Sequence, residues 1–296
     1  MNHKISRSII LGFFIGIAIV VPGVSGSTIS VLFNLYDKIL YSISNLFKKF
    51  KESILFLFPI MIGVIIGFIL GLMTLKQLIN ILPFSITSLF AGLMIGSFPI
   101  ISKEIKNEKI NIKRIILLVL GLIIPLIISI ISTNYLSIKS IENLKIHNYL
   151  IFIFIGYLVA LTQIIPGLSA TALLMSLGYF KPILESISVE YIINNPTIIL
   201  LYISIIVGFI IGMLTLSKLI TFILTKRKKE TYFLIVGLSI SSIISMFYNP
   251  DIYSVYISWI NGNIIMIYDI SIGVILFILG IILSKKLIKN NTIDNI

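Results

Sequence analysis

Long runs of apolar residues recur from one end of this chain to the other, most of them reaching the roughly 17–25 residues that a helix needs to cross the hydrocarbon core of a bilayer. Plain runs lie near 54–80, 84–101, 115–132, 197–224, 231–248 and 264–284. Two further stretches, Ser8 to Tyr36 and Ile146 to Phe180, carry no Asp, Glu, Lys or Arg, and each holds a Pro-Gly pair. The apolar period is never two, which argues against a membrane β-barrel. With 58% hydrophobic and 11% charged residues, the chain has too little polar surface to cover such segments in water. Lipid is the expected solvent, and the expected fold class is all-α integral membrane.

Other classes fall away on composition. The chain has no cysteine, hence no disulfide framework and no thiolate chemistry. His3 and His147 both lie outside the plain apolar runs and cannot form a metal site without further ligands. No metal, cofactor or catalytic residue is expected. The formal charge of +12 comes from basic residues set between apolar segments rather than along one face, so topology explains it better than nucleic acid does. A cleavable signal peptide is not expected, because the run after Lys4 and Arg7 exceeds a typical h-region and no clear small-x-small site follows.

The chain repeats itself. Gly12 matches Gly156, Pro22 matches Pro166, Gly23 matches Gly167 and Ser25 matches Ser169, all at one offset of 144 residues (22 to 166). Further on, Gly67, Gly71 and Thr74 match Gly208, Gly212 and Thr215, with the offset reduced to 141 (67 to 208). Chance likeness between apolar helices is common, but hydrophobicity does not fix the positions of Gly, Pro and Thr. Two repeats are expected, residues 1–145 and 146–296, forming one transport domain.

The distribution of Lys and Arg sets their orientation. If each Pro-Gly stretch is a re-entrant hairpin and each repeat adds three crossings, the cytoplasmic segments hold Lys4 and Arg7, Lys48 to Lys51, the 102–114 loop, the 225–230 loop and the tail from Lys285. The outer segments then hold only Lys139 and Lys145 near 133–148 and Lys181 near 181–196, with no Lys or Arg near 249–263. Full crossings by the motif stretches would put the clusters at 48–51 and 103–114 outside, against the positive-inside rule. Three crossings is an odd number, so the second repeat is expected to lie inverted, with both termini cytoplasmic and the two hairpins dipping toward each other.

Proline removes a backbone donor and glycine relaxes the chain, so Pro22-Gly23 and Pro166-Gly167 are expected to break a helix near mid-bilayer. Broken backbone at that depth persists only against protein or a watery cavity. Ser25, Gly26, Ser27 and Thr28 follow the first break; Ser169 and Thr171 follow the second. The free N–H groups of a restarted helix, with these hydroxyls, suit a phosphate or carboxylate. The alternative is that the small residues only allow close helix packing. Lys76 and Lys218, near the ends of matching helices, either snorkel to the interface or neutralise the anion. Gln163 either donates to an oxyanion or packs between helices. Tyr36, Asp37 and Glu185 on the outgoing arms read as interfacial.

Three stretches, Gly16 to Tyr36 (GIAIVVPGVSGSTISVLFNLY), Gly92 to Ser97 (GLMIGS) and Ile164 to Tyr179 (IIPGLSATALLMSLGY), resemble those of the polyprenyl-phosphate (undecaprenyl-phosphate) translocases of bacteria and archaea. The resemblance implies a flippase that returns the phosphate head of undecaprenyl phosphate, or an archaeal equivalent, to the cytoplasmic leaflet for reuse. It implies that Ser25, Ser27, Thr28, Ser169 and Thr171 hold the phosphate while Pro22, Gly23, Gly26, Pro166 and Gly167 shape the tips. The chain departs from the family pattern at Ala170 and Ala172, and at Ser239 to Ser242, which stand where the second Gly-Leu-x-x-Gly-Ser is expected.

A transporter of small soluble anions would share this architecture. A lipid-phosphate enzyme would want a nucleophile or grouped acids, and Asp269 is the one acid well inside an apolar run. A purely structural membrane partner would not require matched helix breaks. The expected partners are the bilayer and the lipid phosphate, with no nucleic acid; a homo-oligomer is compatible with the sequence.

Overall fold

The computed structural model describes residues 2–20, 38–39, 42, 48–106, 108–135, 141, 144–165, 168–261 and 265–293. Every regular element among them is a helix: α1 Asn2–Val20, α2 Phe50–Ile81, α3 Pro83–Ser102, α4 Ile112–Tyr135, α5 Ile146–Ile164, α6 Ala170–Ser176, α7 Phe180–Ser186, α8 Val189–Asn194, α9 Ile198–Lys226, α10 Lys228–Ser245, α11 Pro250–Ile260 and α12 Ile265–Ile293. Six spans of these residues are long and apolar enough to cross a membrane: Phe50–Ile81, Pro83–Ser102, Ile112–Asn134, Ile198–Leu216, Lys228–Ile260 and Ile265–Lys286. The chain is a multi-pass membrane protein. Pro59, Pro99 and Pro125 sit inside these helices, as prolines do in lipid, where a helix is the only open-chain structure that satisfies its own backbone.

Glycine decides which helices pair. A Cβ on Gly12 of α1 would collide with the carbonyl of Ile60 on α2, and one on Gly63 of α2 with the carbonyl of Ile9 on α1. The matching helices meet in the same way, Gly156 of α5 against Ile205 of α9 and Gly208 of α9 against Ile153 of α5. The remaining spans exchange partners between the two halves of the chain. Gly92 of α3 lies on the backbone of Phe277 in α12, and Gly237 of α10 lies on the backbone of Leu118 in α4. With little hydrophobic drive between helices in lipid, such small-residue seams allow the backbone approach that holds them together.

The two ends of the bundle differ. At one end, the loop after α3 meets the start of α10: Lys228 lies 2.7 Å from Glu104, Lys229 lies 2.8 Å from Glu108, and Arg114 lies 3.4 Å from Glu108. At the opposite end of α3, the N–H groups of Phe84 and Ser85 donate to the carboxylate of Asp269 on α12 at 3.1 and 2.8 Å. Ser85 Oγ donates to the same carboxylate at 2.6 Å. The N-cap position of α3 is Leu82, whose side chain cannot accept, so a buried acid from another helix accepts from its orphan donors instead. Phe84 also joins an aromatic group with Phe247, Tyr256 and Trp259, the rings 5.5 to 6.4 Å apart.

The segments 181–196 and 249–263, read from sequence only as outer connections, contain α7, α8 and α11. In α11 the reason is local. Asn249 takes extended backbone and its side chain accepts from the N–H groups of Asp251 and Ile252, while Pro250 occupies the first helical position, where a missing N–H costs nothing.

Candidate functional site

Two helix ends flank the second Pro-Gly pair. Helix α5 ends at Ile164, Ile165 and Ser169 have extended backbone, and helix resumes at Ala170. Ser169 is the cap of α6: its Oγ accepts from the N–H of Ala172 at 3.2 Å. That bond uses one lone pair and leaves the hydroxyl proton able to donate elsewhere. Thr171 is buried in the first turn of α6, and its hydroxyl has no hydrogen-bond partner among the described residues. Ser176, a turn and a half further along, donates to the carbonyl of Ala172 at 2.9 Å and so satisfies itself locally.

Just past α6 the chain touches α5 again. The Tyr179 ring, just past α6, packs edge-on against Phe152 near the start of α5, with centroids 5.1 Å apart. Gly178, between them, takes a left-handed φ of 72°, and a Cβ there would lie 3.0 Å from Pro250 of α11.

One apolar cluster links the approaches to both motifs. Val20, the last residue of α1 and two positions before Pro22, shares a core with Ala172 and Met175 of α6, together with Phe90, Leu93 and Met246. Ala172 and Met246 are 0% exposed. The end of α1 and the start of α6 therefore contribute to one buried apolar cluster.

Pro22, Gly23, Ser25, Gly26, Ser27, Thr28, Tyr36, Asp37, Pro166 and Gly167 lie outside the described residues. Gln163 sits in the last turn of α5 and Lys218 in the second half of α9. Lys76, on α2, donates from Nζ to the carbonyl of Glu185 at 2.5 Å. That carbonyl belongs to the last turn of α7, where a cation completes an orphan acceptor. Lys76 thus ties the first half of the chain to the outgoing arm of the second. Glu185 itself lies 3.9 Å from Lys181, one helical turn back.

Sequence reasoning missed the hydroxyls of α10, the helix packed on α6. Ser239, Ser241, Ser242 and Ser245 are all buried. Ser239 and Ser242 donate to carbonyls one turn back at 2.8 Å, and Ser241 donates across to Leu122 of α4 at 2.6 Å. Ser245 Oγ is buried without a partner among the described residues. The run of serines at 239–242 was visible as a departure from a glycine motif; its role as a polar stripe facing other helices was not. Among the described residues no three His, Cys, Asp or Glu side chains converge, and Asp269 is occupied at the head of α3.

A family model described as undecaprenyl phosphate translocase-like matches residues 15–265, which take in both Pro-Gly motifs and every helix from α2 to α11. The chain belongs to this family. Among curated translocase-family relatives, a polyprenyl-phosphate transporter of Staphylococcus aureus (strain NCTC 8325 / PS 47) is 28% identical over 290 residues, covering 95% of each chain. A polyprenyl-phosphate transporter of Vibrio cholerae serotype O1 is 26% identical over 246 residues, covering 78% of this chain and 74% of the relative. No solved structure matches the translocase-like chain.

Proposed function

We propose that this chain is a flippase for polyprenyl phosphate, with undecaprenyl phosphate as its substrate, and that it returns the carrier lipid across the cytoplasmic membrane for reuse in envelope synthesis. The observation that carries the reading is that Val20 and Ala172, which lie close in sequence to two matched Pro-Gly motifs, belong to one buried cluster inside a membrane bundle. A lipid phosphate needs only a small anion pocket open sideways, because its tail never leaves hydrocarbon. Ser25, Ser27 and Thr28 from one motif, with Ser169 and Thr171 from the other, supply the donors; Gln163, Lys76 and Lys218 are the further candidates for the head group.

The architecture that serves this is a pair of inverted repeats, each a re-entrant hairpin followed by three crossings, with both termini cytoplasmic. The pairing of α1 with α2 and of α5 with α9 supports the repeat, as does the exchange of α3 and α10 onto α12 and α4. The ion pairs between the loop after α3 and the start of α10 support the inversion, since they set the second connection of one half beside the first connection of the other. The contact of Tyr179 with Phe152 supports a hairpin that leaves on the side from which it came. Rocking of one half against the other would then expose the pocket to each leaflet in turn.

Surface exposure of undecaprenyl phosphate in cells, scored with a head-group-specific probe, tests the proposal. Loss of the protein in a strain without other such flippases raises the exposed pool; an unchanged pool refutes the reading. Proteoliposomes loaded with labelled inorganic phosphate address the soluble-anion alternative, and no protein-dependent flux is expected.

A further inference from the structure

Beside the end of α1 the structure holds a cavity of about 410 Å³ between α1, α2 and α3, within the roughly 300–1,000 Å³ of ordinary ligand sites. Its walls include Phe13, Ile17 and Val20 of α1 and Gly71, Thr74 and Leu78 of α2, and Thr74 carries the sole polar side chain among the described lining residues. Leu78 is 41% exposed, so the wall reaches the lipid-facing surface of the bundle. The other end is Val20, two residues before Pro22.

The α1–α2 seam is looser beside the cavity. Along the earlier part of the α1–α2 seam glycine backbones touch, but at Gly71 the nearest atom to an added Cβ is Val20 Cγ2 at 3.4 Å. The matched position in the other half is closed: a Cβ on Gly212 would lie 2.7 Å from Ala160 Cβ and 3.0 Å from the Tyr157 carbonyl. There Tyr157, which matches Phe13, brings its hydroxyl to 3.4 Å from Thr215 Oγ1, the match of Thr74. The first half has an apolar slot next to its motif, and at the matched glycine of the second half Ala160 and Tyr157 come closer.

We infer that this slot is the tail site of the carrier lipid, holding the first isoprenoid units next to the phosphate while the head lies at the motifs. The inference rests on the proposed function and assigns the tail to one half of the molecule only. A slot that runs from the lipid-facing surface to the approach of the Pro-Gly motif, and whose described lining is apolar but for Thr74, fits a ligand with a long apolar chain joined to a phosphate.

Photo-crosslinking in the full-length chain tests it. A p-benzoylphenylalanine at position 78, in liposomes of phosphatidylglycerol with tritiated undecaprenyl phosphate, is expected to label that lipid. Unlabelled undecaprenyl phosphate should displace the label, and Gly71→Phe, whose ring fills the slot, should lower it about tenfold. Filter binding of the same lipid to the otherwise wild-type chain runs in parallel. Binding without a crosslink at 78, or a crosslink that phospholipid acyl chains share equally, overturns the tail site and leaves the transport reading standing. No binding at all overturns both.

Discussion

Gly121 of α4 and Gly237 of α10 meet backbone to backbone: a Cβ on either would lie 3.1 Å from the Cα of the other. Gly280 of α12 meets Gly92 of α3 in the same manner, its added Cβ 3.1 Å from the Gly92 carbonyl carbon. These two seams join residues on either side of position 145, so they hold the halves of the molecule to one another.

Gly237→Val is therefore expected to destabilise the bundle by about 1–3 kcal/mol, because the branched side chain must push α4 and α10 apart. Thermal melting in detergent reads this. An unchanged midpoint would mean the seam is looser than described.

Asp269→Ala should be comparably damaging for a different reason. It orphans the N–H groups of Phe84 and Ser85 and one acceptor of the Ser85 hydroxyl, at about 1–3 kcal/mol for each buried donor left unpaired. Asp269→Asn keeps one acceptor oxygen and should fall between. Melting of both variants checks the order.

Thr171→Val separates stability from transport. No hydrogen bond is lost among the described residues, so the melting point should hold while reconstituted flipping slows about tenfold or more, the loss expected of one bond to a charged ligand. Ser169→Ala should slow flipping and also cost about 1 kcal/mol through the lost helix cap. Equal flipping by Thr171→Val and wild type would remove that hydroxyl from the site.

Acid should loosen the end of the bundle where α3 and α10 meet. The hydrogen bond from Lys229 is the main cause that lowers the Glu108 pKa, opposed by desolvation and aided by the charges of Lys229 and Arg114. A folded pKa below the ordinary value of 4.5 gives a contribution that is complete above about pH 4.5 and lost as pH falls through the folded pKa. Glu108→Gln should therefore flatten the acid limb of a melting-point profile between pH 6 and pH 3.

Cysteines placed singly at Lys106 and Arg227 should react with an impermeant maleimide from the same face of the membrane, and one at Asn261 from the other. Labelling of 106 and 227 from opposite faces would contradict the proposed inverted arrangement.

The spans were legible from sequence because lipid demands unbroken apolar helix; the run read near 231–248 begins at Lys228 and that near 84–101 at Pro83. The partner exchange was not legible. Helices apolar on every face carry no periodic stripe, and only the spacing of Gly92, Gly121, Gly237 and Gly280 marked the seams. The place of Asp269 was equally hidden, since an acid in an apolar run says nothing about which distant helix it will cap. At the candidate site, α5 ends at Ile164 and α6 starts at Ala170, on either side of Pro166-Gly167, whereas the slot beside Gly71 depends on how closely neighbouring helices pack, which no local pattern encodes.

The most direct test of the central claim is a leaflet assay on the purified chain in proteoliposomes. Fluorescent undecaprenyl phosphate is placed in both leaflets and an impermeant phosphatase is added outside. The account predicts that all of the lipid is consumed in vesicles that hold the protein, while only the outer-leaflet share is consumed in empty ones. The same incomplete digestion with and without the protein would contradict it.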